Sequence, residues 1–171
     1  KIIMAVFTVP NIKLSGITAC VPKQIEDNYN FTLLNENERE LFIKTVGIRY
    51  RRIAPKGITA SDLCLTAAEN LLSNLTWEKE DVKVLVFVTQ TPDYIIPNTA
   101  SLLQEKLGLS KSCVAFDVNL GWSCDGEGRV RSFSGVQNIS GGKALLLVGD
   151  ISTQTISMQE KSTAPLFSDG G

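Results

Sequence analysis

Lys83 to Thr89 reads Lys-Val-Leu-Val-Phe-Val-Thr, β-branched and almost continuously apolar, with no polar alternation. A strand with that pattern has both faces covered, which is the situation of a strand inside a parallel sheet. Cys113 to Val118 and Ala144 to Val148 repeat the pattern. Ala164 to Phe167 adds a shorter apolar piece that ends at Ser168-Asp169-Gly170-Gly171. Helical patterns fall between the strands. Thr59 or Ser61 caps a helix whose apolar face is Cys64, Ala67, Ala68, Leu71, Leu72 and Leu75. Thr91-Pro92-Asp93 makes a turn, and Asn98 opens a helix through Leu107, with Gly108 as its stop. Helices alternating with buried strands predict an α/β fold with a mixed, mostly parallel sheet and helices on both faces.

The first third is less regular. Ile12 to Ala19 alternates as a strand and is closed by Val21-Pro22. Asn35 caps a helix over Glu36 to Val46, and Gly47 ends it. A basic loop runs on through Pro55-Lys56-Gly57. Arg49, Arg51 and Arg52 read as a solvated loop face in preference to a phosphate clamp.

Composition removes several functions. With 17 basic against 18 acidic residues the net charge is −1, so no field favours nucleic acid or an acidic surface. Cys20, Cys64, Cys113 and Cys124 form no CxxC pair and there is no histidine, which argues against a zinc site. No apolar run approaches the roughly 20 residues that span a membrane. The opening Lys1-Ile-Ile-Met-Ala-Val-Phe7 is too short for a secretory signal. Free thiols in a reducing cytoplasm are the simplest expectation. Lack of histidine also means that any Ser-His or Cys-His mechanism must take its base from elsewhere.

Several segments, in order, carry a resemblance. They are Val46-Gly-Ile-Arg-Tyr-Arg-Arg-Ile-Ala54, Thr59-Ala-Ser-Asp-Leu63 with Ala67-Ala68, and Thr89-Gln-Thr-Pro-Asp93. Pro97 with Gln104 to Gly108, Phe116-Asp-Val-Asn-Leu-Gly121 and Leu166-Phe-Ser-Asp-Gly170 follow. Each is weak alone; their order and spacing from about residue 11 to 171 resemble β-ketoacyl-acyl-carrier-protein synthase III. The resemblance implies a thiolase-like fold of two similar halves, with residues 1–171 as the N-terminal half, truncated before the C-terminal one. It also implies a cytoplasmic homodimeric acyltransferase of fatty acid biosynthesis. Such an enzyme takes an acyl group from a coenzyme A thioester onto a cysteine. It then condenses that group with malonyl-acyl-carrier protein, with loss of carbon dioxide. Acyl-CoA and malonyl-acyl-carrier protein are substrates, and no further cofactor is implied. The expected partners are acyl-carrier protein and a second copy of the chain, with no membrane. The family's histidine and asparagine lie in the second half, consistent with their role beside a developing oxyanion.

The nucleophile turn departs from the family. After Phe116-Asp-Val-Asn-Leu-Gly121 the family's cysteine position falls on Trp122, and Cys124 lies two residues later. Asp125 to Gly135 carries glycine and charge where the family buries a helix. Three readings stay open: a corrupted stretch of sequence, a divergent relative without condensing activity, or Cys124 as nucleophile on an altered turn. Cys124 is therefore the candidate catalytic residue, and the alternative to the enzyme is a non-catalytic half that binds or dimerises. Leu41 and Thr45 occupy positions where the family often has an aromatic residue and an arginine against coenzyme A. Asp117 and Asn119 end a strand, where they either orient the active-site turn or make structural hydrogen bonds. Gly141-Gly142-Lys143 reads as a turn, and Asp125 with Glu127 as a surface turn instead of a calcium loop.

Overall fold

The computed structural model describes residues 10–119 and 142–171. Its centre is a parallel three-stranded sheet. The strands are β3 (Val82–Val88), β4 (Val114–Val118) and β5 (Lys143–Val148), in the order β4-β3-β5. As the sequence predicts, β3 is the most buried element, with Val82, Leu85, Val86 and Phe87 wholly inaccessible. A central strand between two others has no solvent face, so every residue but Lys83, near its start, is apolar.

Two helices pack on one face of this sheet. Helix α2 (Ala60–Leu75) starts at Thr59, whose hydroxyl accepts from the Asp62 N–H while the Asp62 carboxylate accepts from the Thr59 N–H. That reciprocal capping box satisfies two otherwise orphaned donors. The helix buries Leu63, Cys64, Ala67, Ala68 and Leu72. Helix α3 (Thr99–Lys106) contributes Ala100 and Leu103. Together with Leu85, Phe87, Leu145 and Leu147 they form the main core. Val84, Val86, Val88 and Val118 make a second cluster on the opposite face. Helix α1 (Glu36–Val46) has the predicted boundaries, with an Asn35–Glu38 capping box and left-handed Gly47 at its end. None of its residues is buried.

Three expectations are corrected. The basic stretch is not all loop: β2 (Tyr50–Ile53) pairs antiparallel with β1 (Gln24–Asp27). Within it Arg51 is buried, not solvated, at 2% exposure. Its guanidinium donates to Asn28 Oδ1 at 2.8 Å, to the Ala164 carbonyl at 3.0 Å and to Glu26 Oε2 at 2.7 Å. Ala164–Leu166 is a 3-10 turn, held by that arginine, and the strand that follows is the short β7 (Asp169–Gly170), antiparallel to β6 (Asp150–Ile151). Ile12 to Ala19 joins no described ladder, and its exposure alternates only from Ser15 onward, Lys13, Leu14 and Ser15 all being exposed.

Candidate functional site

In open α/β sheets, ligands gather beyond the carboxyl ends of the strands. Here the three strands end flush, Val88 standing opposite both Val118 and Val148. The rim beyond them is built from the loops after β3 and β5 and the first residues after β4.

Side-chain carboxylates hold this rim together. Asp150 Oδ1 accepts from Thr89 Oγ1 at 2.9 Å, from the Gln90 N–H at 2.6 Å and from the Thr91 N–H at 3.2 Å. The Thr91 hydroxyl in turn accepts from the Ile151 N–H at 2.9 Å, so the loops after β3 and β5 are locked to one another. Asp93 Oδ2 accepts from Thr59 Oγ1 and Ser61 Oγ, tying the same loop to the start of α2. Asp117, at the end of β4, accepts from the N–H groups of Thr99 and Ala100, both at 2.7 Å. It therefore caps α3, where a negative charge also complements the helix dipole. Asn98 does not cap with its own side chain. It bonds instead to the Ala115 carbonyl at 3.4 Å and accepts from Ser101. Asp117 thus ties the end of β4 to the start of α3. The structural-bond reading of Asp117 holds, and no reacting atom is needed to explain it. Asp150 was not singled out from sequence, although an aspartate directly after a buried strand and a glycine was the available signal.

Cys124 and Trp122, with Asp125 to Gly135, lie outside the described residues. The other three thiols, Cys20, Cys64 and Cys113, are free. Cys64 is buried in the α2 stripe, as expected, and burial pushes its thiol from an ordinary 9.0 to about 12, with Asp150 adding to the shift. Burial also raises the Cys113 thiol. A thiol that stays protonated is a poor nucleophile. Gly149 passes so close to Cys64 that a Cβ there would meet Sγ at 2.7 Å. Native-state alkylation at pH 8 is therefore expected to spare Cys64 and to modify it only after unfolding, read by peptide mass. The sign for stability follows: the folded state keeps a proton that the unfolded chain releases above about 9. Cys64 thus contributes equally below that pH, and its contribution falls as pH rises toward about 12. Leu41 and Thr45 both lie exposed on α1, Leu41 at 65%. No group of metal-ligating side chains occurs among the described residues.

No family model matches the chain. Individual proteins do. Beta-ketoacyl-acyl-carrier-protein synthase III of Methylococcus capsulatus is 32% identical over 161 residues, covering 92% of this chain and 49% of that protein. The protein of the same name from Xylella fastidiosa is 35% identical over 162 residues, covering 92% and 48%. Among solved structures, 3-oxoacyl-(acyl-carrier protein) synthase from Burkholderia xenovorans LB400 superposes with a TM-score of 0.86 at 37% identity. That match covers 91% of this chain and 45% of the other. The chain spans about half the length of the curated relatives it matches. By sequence and by its thiolase-like fold, this chain is a relative of β-ketoacyl-acyl-carrier-protein synthase III, corresponding to the N-terminal half.

Proposed function

We propose that the chain is the nucleophile-bearing half of a condensing acyltransferase of fatty acid biosynthesis. In this reading an acyl group moves from a coenzyme A thioester to Cys124, and coenzyme A leaves as its thiol. The bound acyl group then undergoes decarboxylative Claisen condensation with malonyl-acyl-carrier protein, giving a 3-oxoacyl product and carbon dioxide. The observation that supports it is the flush end of β3, β4 and β5, with β4 ending at Val118, four residues before the family's cysteine position in the sequence. The second step needs donors for the developing enolate. The chain has no histidine to supply one, so alone it loads but does not condense.

Labelled acyl-CoA together with malonyl-acyl-carrier protein separates these steps. Label retained on the denatured chain, with no carbon dioxide released, is expected. Carbon dioxide release by the chain alone would overturn the division of labour.

A second reading, a non-catalytic half that dimerises, is favoured by an exposed apolar loop. Ile95 and Ile96 are 93% and 87% exposed beside exposed Tyr94. Apolar tips of this kind drive association. Both readings therefore share a homodimer, and sedimentation is expected to show a dimer for the parent chain and a monomer for Ile95→Asp with Ile96→Asp.

A further inference from the structure

The described residues that follow the three strand ends are Thr89-Gln90 after β3, Asn119 after β4 and Gly149-Asp150 after β5. Thr89 and Asp150 are spent on one another. Gly149 has no side chain to offer. Gln90 and Asn119 remain, both exposed, and neither side chain makes a hydrogen bond among the described residues.

Of the two, Gln90 belongs to the central strand, whose exit lies between those of its neighbours. Burial stops abruptly there: Val88 and Thr89 are 1% exposed, and the next residue is open. Its backbone is held from the β5 side by Asp150, which accepts the Gln90 N–H at 2.6 Å. The residue before it is held from the β4 side, the Thr89 N–H donating to the Val118 carbonyl at 3.2 Å. Gln90 therefore stands beside the exit of β4, from which the sequence runs on to Cys124. An exposed polar side chain on so firmly held a base suits a contact to a ligand better than a loop tip does.

A carboxamide offers an acceptor oxygen and two N–H donors. Water satisfies them while the rim is open. An acyl chain that covers the rim displaces that water, and a plain hydrocarbon chain leaves the carboxamide unpaired. A hydroxyl on the chain supplies the partner, since it both donates and accepts. Sites of this kind discriminate strongly, because the penalty falls only on the analogue without the polar group.

We propose that Gln90 is a specificity-determining residue that hydrogen-bonds a hydroxyl on the incoming acyl chain, so that the preferred donor is a hydroxyacyl thioester. The assignment rests on the loading reaction proposed above and names its substrate class.

Butanoyl-CoA and both enantiomers of 3-hydroxybutanoyl-CoA test it, since they differ in one hydroxyl and share the arm, whose contacts cancel. Each is incubated with the whole chain and with Gln90→Leu, and acylation of the Cys124 peptide is followed by mass. The parent is expected to load the better hydroxyacyl enantiomer roughly tenfold faster than the plain donor, or more. Gln90→Leu is expected to lose that preference, with an unchanged melting temperature because the residue is exposed. The same donor ratio in both proteins, or a parent that loads the plain donor faster, would overturn the assignment while leaving the loading reaction intact. A parent that loads none of the donors would overturn the loading reading, and this assignment with it.

Discussion

Arg51→Ala is expected to destabilise the chain by about 3 kcal/mol, a drop of roughly 6–12 °C in melting temperature for a chain of this size. The arginine side chain is 1% exposed, and its Glu26 partner is 38% exposed. Removing it leaves Asn28 Oδ1 and the Ala164 carbonyl without their donor inside the protein. Glu26 reaches water, so its lost ion pair adds little, which places the effect at the low end for a buried pair. Asn28 itself donates to the carbonyls of Ile48 and Pro165 at 3.0 and 2.9 Å, so the whole polar knot between the β1–β2 ribbon and the 164–167 turn loosens at once. Arg51→Lys keeps the charge but not the fork that serves several acceptors in one plane. Its melting temperature is expected to stay closer to that of the alanine variant than to the parent. A lysine variant as stable as the parent would show that charge alone holds the knot.

Asp169→Ala is expected to cost a similar amount, about 3 kcal/mol, because it strips acceptors from several buried donors together. The Asp169 carboxylate is 3% exposed. It accepts from the Ala54 N–H at 2.7 Å, the Thr153 N–H at 3.0 Å and the Thr153 hydroxyl. It therefore joins the end of β2 to the turn after β6. Asp169→Asn retains one acceptor oxygen and turns an amide donor toward the remaining N–H groups. An intermediate loss is expected, and chemical denaturation of the three proteins orders them. An asparagine variant less stable than the alanine one would show that donor–donor conflict outweighs the retained bond.

Local patterns in the sequence were enough for the elements whose partners are close or whose burial is complete. The Asn35 and Thr59 capping boxes, the α2 stripe and the β3 run are all set by residues within a few positions of each other. The β1–β2 ribbon was not visible for the opposite reason. Gln24–Asp27 is polar, and its mate Tyr50–Ile53 carries two adjacent arginines, so neither shows an alternating apolar face. Arg51 looked like a surface residue because the groups that bury it, at Ala164 and Phe167, lie 113 and 116 positions away. The α3 cap shows the same thing at shorter range. Asn98 has the right residue type in the right place, yet the carboxylate that does the capping comes from Asp117, 19 positions later. Two of the ordered family segments, Thr89 to Asp93 and the one that starts at Phe116-Asp117, meet at the rim beyond the strand ends. The carboxylates within it proved to be spent on backbone and hydroxyl donors, which residue type alone does not reveal.

In the proposed reaction an acyl group is loaded onto Cys124. Intact mass before and after incubation with a panel of acyl-CoA thioesters, followed by peptide mapping, tests it directly. A single acyl increment on the peptide containing Cys124, with Cys64 and Cys113 unmodified, is the predicted result. No increment with any thioester, on a chain whose peptides confirm Trp122 to Val136, would contradict the loading reaction and leave the dimerising half as the function.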